Sequence, residues 1–259
     1  MNNQEKLKTE QNGISRSKNN HKKIMMNKII IGKTLDAKGN PIEGSGIELQ
    51  ADGPTVQLLK KSMIPLISNP ITGEYLAVLE NQDKNGDKYI KGLLIMPKTA
   101  SGPPEHYHPN YLEEFEVVEG EFIFLHKGKE INLKPGEKIT VNASETHTFH
   151  TSGKYDINSC IGVAKPSGQV KSVVFTLFGL AHEGKLSKKG EPQFWQAMAM
   201  ASELGEDTVF MNPSLLIQKV IGAIFGPVAK WLGHCAIHPE KLENSYWMNK
   251  VEQFITTEK

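Results

Sequence analysis

Between residues 66 and 165, apolar side chains recur in short runs, many alternating with polar ones. The runs are Tyr75 to Leu79, Tyr89 to Met96, Phe115 to Val118, Phe122 to Leu125, Ile131 to Leu133, Ile139 to Val141 and His147 to His150. A period of two over a few residues is the pattern of a half-buried strand. Between the runs stand Asn85-Gly86, Glu119-Gly120, Lys127-Gly128 and Pro135-Gly136, pairs suited to hairpins and tight turns. Many short strands at this spacing predict a sandwich or barrel.

The flanks read differently. Residues 29–65 mix the apolar runs Ile29 to Ile31 and Val56 to Leu59 with Gly and Pro, which predicts short strands and loops. Beyond Ser167 the periodicity becomes helical, over Val170 to Gly179, Phe194 to Leu204 and Pro213 to Gly233. Asn212 or Ser214 sits near the cap of the last helix and Pro213 near its first turn. That helix carries Leu215, Leu216, Val220, Ile221, Ile224, Phe225, Val228, Trp231 and Leu232. Lys219 and Lys230 leave ten uncharged residues between them, against the roughly 20 that a membrane span needs. The helix is therefore expected to pack on the barrel or on a second subunit, with contact at a lipid surface as the alternative. The predicted organisation is a basic tail over residues 1–28, a β-barrel over 29–165 and a helical extension over 166–259.

Charge changes this picture only at the N-terminus. The chain holds 30 basic and 29 acidic residues, a balance that argues against a dedicated nucleic-acid binder. Residues 1–28 contain seven basic residues against Glu5 and Glu10 and are rich in Asn, Gln and Ser, a composition expected to stay disordered. No apolar run precedes a small-residue cleavage site there, so the expected compartment is the cytoplasm. Cys160 and Cys235 are the only cysteines, too few for a disulfide scaffold or a thiolate metal site. Gly32-Lys33-Thr34 lacks the upstream glycine of a phosphate loop. Asp83 to Asp87 lacks the glycine and the terminal glutamate of a calcium loop, since Lys88 and Leu94 occupy those places.

The candidate chemistry lies in His106-Tyr107-His108, Glu113 and His147. Successive side chains of a strand alternate faces, so His106 and His108 point the same way, about 7 Å apart, and can grip one ion. On the next strand Glu113 shares a face with Phe115 and Val117, the apolar set that belongs inside, whereas Glu114 and Glu116 face water. His147 likewise shares a face with Phe149, and His150 points away. His126, His182, His234 and His238 read as surface or packing residues. An inward carboxylate costs several kcal/mol unless it is paired, so a cation is expected among the three imidazoles.

These segments resemble the two motifs of the cupin superfamily. His106, His108, Glu113 and Gly120 fit the first motif, and Gly136 and His147 fit the second. Departures are Ala100 at the first motif's leading glycine (Gly102 is nearby), Asn142-Ala143-Ser144 in place of Pro-x-Gly, and Thr151 at the terminal Asn. Asn69-Pro70-Ile71-Thr72-Gly73 and Trp231-Leu232-Gly233 are also similar to segments flanking the barrel in stand-alone bacterial, quercetinase-like cupin-domain proteins. The resemblance implies an all-β core, a double-stranded β-helix or jelly-roll barrel, with a C-terminal helical extension, and a homodimer.

It also implies a divalent transition metal, Fe, Mn, Ni, Cu or Zn, held by His106, His108, Glu113 and His147, with two positions of a six-coordinate ion left open. Redox-active ions would support oxygenation, and Zn would support Lewis-acid chemistry. In dioxygenase relatives the ligating glutamate also takes the substrate proton, which gives Glu113 a catalytic role. Phe115, Val117, Phe122, Phe124 and Phe149 form apolar walls suited either to an organic substrate pocket or simply to a barrel core. The leading expectation is a metal-dependent dioxygenase acting on a small organic molecule. The alternatives are a sensor that binds without turnover and a non-oxidative Zn or Mn isomerase or lyase.

Overall fold

The computed structural model describes residues 27–63, 65–84, 87–100, 102–205 and 207–254. The basic tail over 1–26 and the Asn85-Gly86 turn lie outside the described residues.

Two antiparallel sheets face each other. β3 (Leu66–Asn69), β4 (Glu74–Lys84), β5 (Asp87–Pro97), β7 (Leu112–Glu119), β10 (Lys138–Val141) and β12 (Ile157–Lys165) form a six-stranded sheet in the order β10-β7-β12-β5-β4-β3. The opposing sheet contains β6 (His106–Tyr107), β8 (Phe122–His126), β9 (Lys129–Leu133), β11 (His147–Thr151) and β13 (Val209–Phe210), in the order β13-β6-β11-β8-β9. The strands thus shuttle between sheets, as in a jelly roll. Glu119-Gly120 and Pro135-Gly136 carry the chain across, from β7 to β8 and from β9 to β10. Lys127-Gly128 makes a true hairpin, with β8 and β9 paired from His126 and Lys129 outward. Both its residues have positive φ, 52° and 73°, the twist that lets a two-residue turn follow its strands.

Alternation sorts the side chains as the sequence predicts. Phe115, Val117, Phe122, Phe124, Ile139, Val141, Phe149 and Cys160 fill the space between the sheets. Glu114 is exposed, and Glu116 stands outside beside Lys138 at 2.8 Å. The six-stranded sheet outruns its partner at the β3 end. There its inner face is covered by α2 (Val170–His182) and by Trp247, which pack Phe175, Phe178 and the indole against Ile67, Val78, Ile90 and Ala164. The outer face is covered by the hairpin of β1 (Lys28–Ile31) and β2 (Ile47–Gln50) and by α1 (Pro54–Leu59).

The helical stretches appear with small boundary changes, as α2, α3 (Phe194–Leu204) and α4 (Leu215–Trp231). A 3-10 turn (Pro239–Leu242) and α5 (Asn244–Met248) follow. Two readings need correction. Val56 to Leu59 is helical, because Gly53-Pro54 opens a helix with Pro in its first turn, a position where the missing N–H costs nothing. Val209–Phe210, between two of the expected helices and beyond the barrel boundary expected at 165, is a strand on the edge of the five-stranded sheet.

Candidate metal centre

Three strands bring the candidate residues together. His106 sits on β6 directly opposite His147 of β11, and Glu113 enters on β7 from the other sheet. One donor atom from each of His106, His108, Glu113 and His147 lies within 4.8 Å of all the others. His147 is fully buried and Glu113 is the most open of the four, with its side chain 12 % exposed.

The imidazoles are held in one tautomer. Nδ1 of His106 donates to the Pro104 carbonyl at 2.7 Å, Nδ1 of His108 to that of Asp207 at 3.2 Å, and Nδ1 of His147 to that of Glu145 at 3.4 Å. A nitrogen facing a carbonyl carries the hydrogen, so Nε2 is the ring nitrogen left to face a metal. Nε2 of His147 points at Oε2 of Glu113, 2.9 Å away. Nε2 of His108 lies 3.3 Å from the same oxygen, off the line of a hydrogen bond. Among the described residues it is the buried side-chain nitrogen or oxygen without a hydrogen-bond partner.

Electrostatics agree with this arrangement. Burial, then the neighbouring His147 and His108, push His106 down to about 4, so it is neutral near pH 7 and available as a ligand. Burial would raise the Glu113 carboxyl, but His108 and His147 outweigh it and hold the carboxyl well below its ordinary range. Three imidazole nitrogens and one carboxylate, with the unpartnered His108 Nε2 among them, fit a divalent transition ion. Cys160 takes no part: it is fully buried among apolar groups, and burial pushes its thiol up to about 12.

Residues beyond the four complete the site. Tyr111 stacks on His108, with ring centroids 4.2 Å apart. Thr208 places its hydroxyl 3.2 Å from His108 Nδ1. Asp207 accepts the backbone N–H of Gln169 at 2.9 Å and the Tyr111 hydroxyl at 3.4 Å, which fixes the loop that carries the carbonyl for His108. β13 pairs with β6 so that Phe210 stands opposite His106, with rings 6.1 Å apart. Nothing local in the sequence marks Asp207, Thr208 or Phe210, because they act across about a hundred residues of chain. Replacing Asp207 with alanine keeps the carbonyl facing His108 but releases its loop, and should weaken metal affinity by up to about 10-fold, less than losing the orienting partner outright would cost. Titration with a metal-sensitive dye would measure this.

Of the expected pocket walls, Phe115 alone has a ring contact with a candidate ligand, His147, at 6.4 Å. Phe124 and Phe149 lie against Phe115 at 5.1 and 5.3 Å, and Phe122 packs deeper on both. Val117 is buried in the same cluster. Of the other histidines, His182 bonds Ser68 and His126 lies 2.9 Å from Glu145, both away from the four.

Two of the three motif departures are also explained. Gly102 has φ +66°, and a Cβ there would sit 1.8 Å from the Phe149 carbonyl oxygen, so only glycine fits ahead of β6. Ser144, in the Pro-x-Gly place, keeps a glycine-like φ of 67° and donates its N–H to the His108 carbonyl at 2.7 Å. The left-handed conformation costs a non-glycine residue about 1–2 kcal/mol, partly offset by the greater chain entropy of glycine. Ser144→Gly should therefore raise stability by about 0.5–1 kcal/mol, seen as a small rise in Tm.

A jelly roll that draws three histidines and a carboxylate together defines a class of barrel with a candidate metal centre. The comparisons agree. The family pattern described as Cupin domain matches residues 92–157, so this part of the chain is a cupin domain. It is similar to quercetin 2,3-dioxygenase of Bacillus subtilis, 28 % identical over 121 residues, which are 45 % of this chain and 33 % of that protein. The chain thus matches about a third of that relative's length. Solved structures with a weak overall likeness include an RmlC-like cupin from Shewanella frigidimarina. It is 22 % identical, with 39 % of this chain and 83 % of that one covered, at a TM-score of 0.33. KdgF from Halomonas sp. is 18 % identical, with 36 % and 79 % covered, at a TM-score of 0.32.

Proposed function

We propose that this protein is a metal-dependent enzyme of dioxygenase type acting on a small organic substrate, with His106, His108, Glu113 and His147 holding one divalent ion. The observation that carries this reading is the shared orientation of the imidazoles: each Nδ1 is committed to a backbone carbonyl, Nε2 of His108 and of His147 approaches Glu113, and one donor from each of the four residues lies within 4.8 Å of the rest. The partial likeness to a quercetin dioxygenase supports the oxidative class over isomerase or lyase chemistry. A redox-active ion bound there would supply the activation of dioxygen.

The chain's own residues would do the rest. Glu113, charged and the most open of the four, would accept the proton of a substrate hydroxyl. Phe115 would bound the inner side of the pocket, backed by Val117, Phe122, Phe124 and Phe149. Phe210 and Met211, each 40 % exposed, would form its outer rim. Met211 is tied to the approach to His106 by its N–H on the Glu105 carbonyl at 3.0 Å. Apolar walls with a few convergent polar groups suit a planar or aliphatic organic molecule.

The test is to load the purified protein with Fe(II), Mn(II), Ni(II) or Zn(II) and record oxygen uptake over enediols, flavonols and diketones. Metal-dependent oxygen consumption is the expected result. Saturable binding without turnover would replace the enzyme with a sensor. Turnover without oxygen consumption would move the reaction to the isomerase or lyase class.

A further inference from the structure

Helix α4 carries its apolar residues on the side opposite to the one a water-facing helix would choose. Gly222, Gly226 and Ala229 form its buried stripe, pressed against α3. A Cβ on Gly226 would stand 2.4 Å from the Ser202 side chain, and one on Gly222 would stand 3.3 Å from the Ala201 carbonyl oxygen. The large side chains point outward. Leu216 is 73 %, Ile224 58 % and Trp231 84 % exposed, and Ile217, Val220 and Val228 are exposed beside them. At 3.6 residues per turn these six fall within an arc of about 120°, with no charged residue among them. Lys219 and Lys230 border that arc on one edge, Lys230 lying 3.0 Å from Glu203 of α3, and α4 itself contains no acidic residue. Ile221 and Phe225, by contrast, are half-buried, Phe225 lying against Phe194 at 5.8 Å.

Three occupants could cover this face. Residues 1–26 are basic and polar, with Leu7, Ile14 and Ile24 as their branched apolar residues, too sparse to match it. A second copy fits poorly. The strip is about 25 Å long and 10 Å wide, so two such strips would bury on the order of 500 Å², against roughly 1,200–2,000 Å² in a stable interface. An antiparallel α4 pair would also line up four lysines along one side with no acid on either helix.

A bilayer surface asks for what is present. It needs a narrow apolar strip, an aromatic residue at headgroup depth and cations at the border. Further basic groups lie towards the Trp231 end. Lys185 lines the same recess as Leu232, and Lys188 and Lys189 are exposed in the turn closed by Ser187 and Glu191. No described helix is long and apolar enough to cross a membrane. We propose that the outer face of α4 docks this protein on an anionic lipid bilayer, lying along the headgroup region without spanning it.

The experiment is co-sedimentation of the full chain with vesicles of equal phosphatidylcholine and phosphatidylglycerol, beside vesicles of phosphatidylcholine alone. Binding to the anionic vesicles, weakened by salt, is expected. Val220→Asp/Ile224→Asp should weaken it more than about 100-fold, given the apolar burial lost. Lys219→Gln/Lys230→Gln should weaken it about 30-fold, at about 1 kcal/mol per lysine. Trp231 emission should shift to the blue on the vesicles and be quenched by brominated lipid, a signal missing from Trp231→Phe. That readout needs no destabilising change, because all of these side chains are on the surface. Undiminished binding by the Asp variant overturns the proposal, as does equal binding to both vesicle types. A dimer that the Asp variant converts to a monomer, without vesicle binding, assigns the face to a second copy and also overturns it.

Discussion

His106→Ala should leave the protein unable to keep a divalent ion through purification, with metal content falling from about one per chain to near zero. His106 contributes one of four donors, and its ring lies 4.3 Å from that of His147 and 4.8 Å from that of His108, so its loss opens the centre on the β6 side. Outer partners of ligating histidines already command about 10–100-fold in affinity, and a ligand itself should exceed that. Wild-type protein stripped with a chelator should show the matching loss of stability. An ion present at 100 times its dissociation constant adds about 2.7 kcal/mol to the folded state, or several degrees in Tm. Elemental analysis of both proteins and thermal melts with and without metal provide the check. An alanine variant that retains a full complement of metal would remove the basis for the proposed centre.

Trp247→Ala should be the most damaging change away from the site. The indole is completely buried, meets Phe175 edge-on at 5.8 Å and donates its N–H to the Lys241 carbonyl at 2.7 Å. It covers the inner face of the long sheet where the shorter sheet has ended. Truncating a buried tryptophan costs about 3–5 kcal/mol. For a chain of this size that corresponds to a fall of about 10 °C or more in Tm. The neighbouring Lys241, itself buried, bridges Glu183 and Glu240 at 2.7 and 2.9 Å, so the cavity would open beside an ion pair that then loses its cover. Thermal denaturation of the metal-loaded variant measures the effect.

Which parts of this were legible in the sequence follows from the range over which each residue acts. Glu113 could be told from Glu114 and Glu116 because a strand alternates, and its neighbours Phe115 and Val117 show which face is apolar. The paired His106 and His108 were readable for the same reason. The strand Ile157–Lys165 was missed although it lies at the centre of the six-stranded sheet. Its inward positions are Asn158, Cys160, Gly162 and Ala164, small or polar because the Phe115 ring fills the space above Gly162. A strand whose inner face has been emptied for a neighbour's bulk shows no apolar alternation. The helix Pro54–Leu59 was readable from Gly53-Pro54, but the apolar run that follows resembles a strand. Tyr111, Asp207 and Phe210 carried no local signal, since their roles exist only once β13 has been laid beside β6.

That last pairing bears on any attempt to work with a smaller protein. The family pattern ends at residue 157, and the β-rich stretch read from the sequence ends at 165, yet the outermost strand of the His106 sheet arrives from residues 209 and 210. A chain cut after the last long strand would keep every candidate donor and lose the two groups beside His108 Nδ1. It would also present the bare hydrogen-bonding edge of β6 to other molecules, an invitation to clump. The shortest working unit therefore reaches past Phe210, well beyond where the motifs stop.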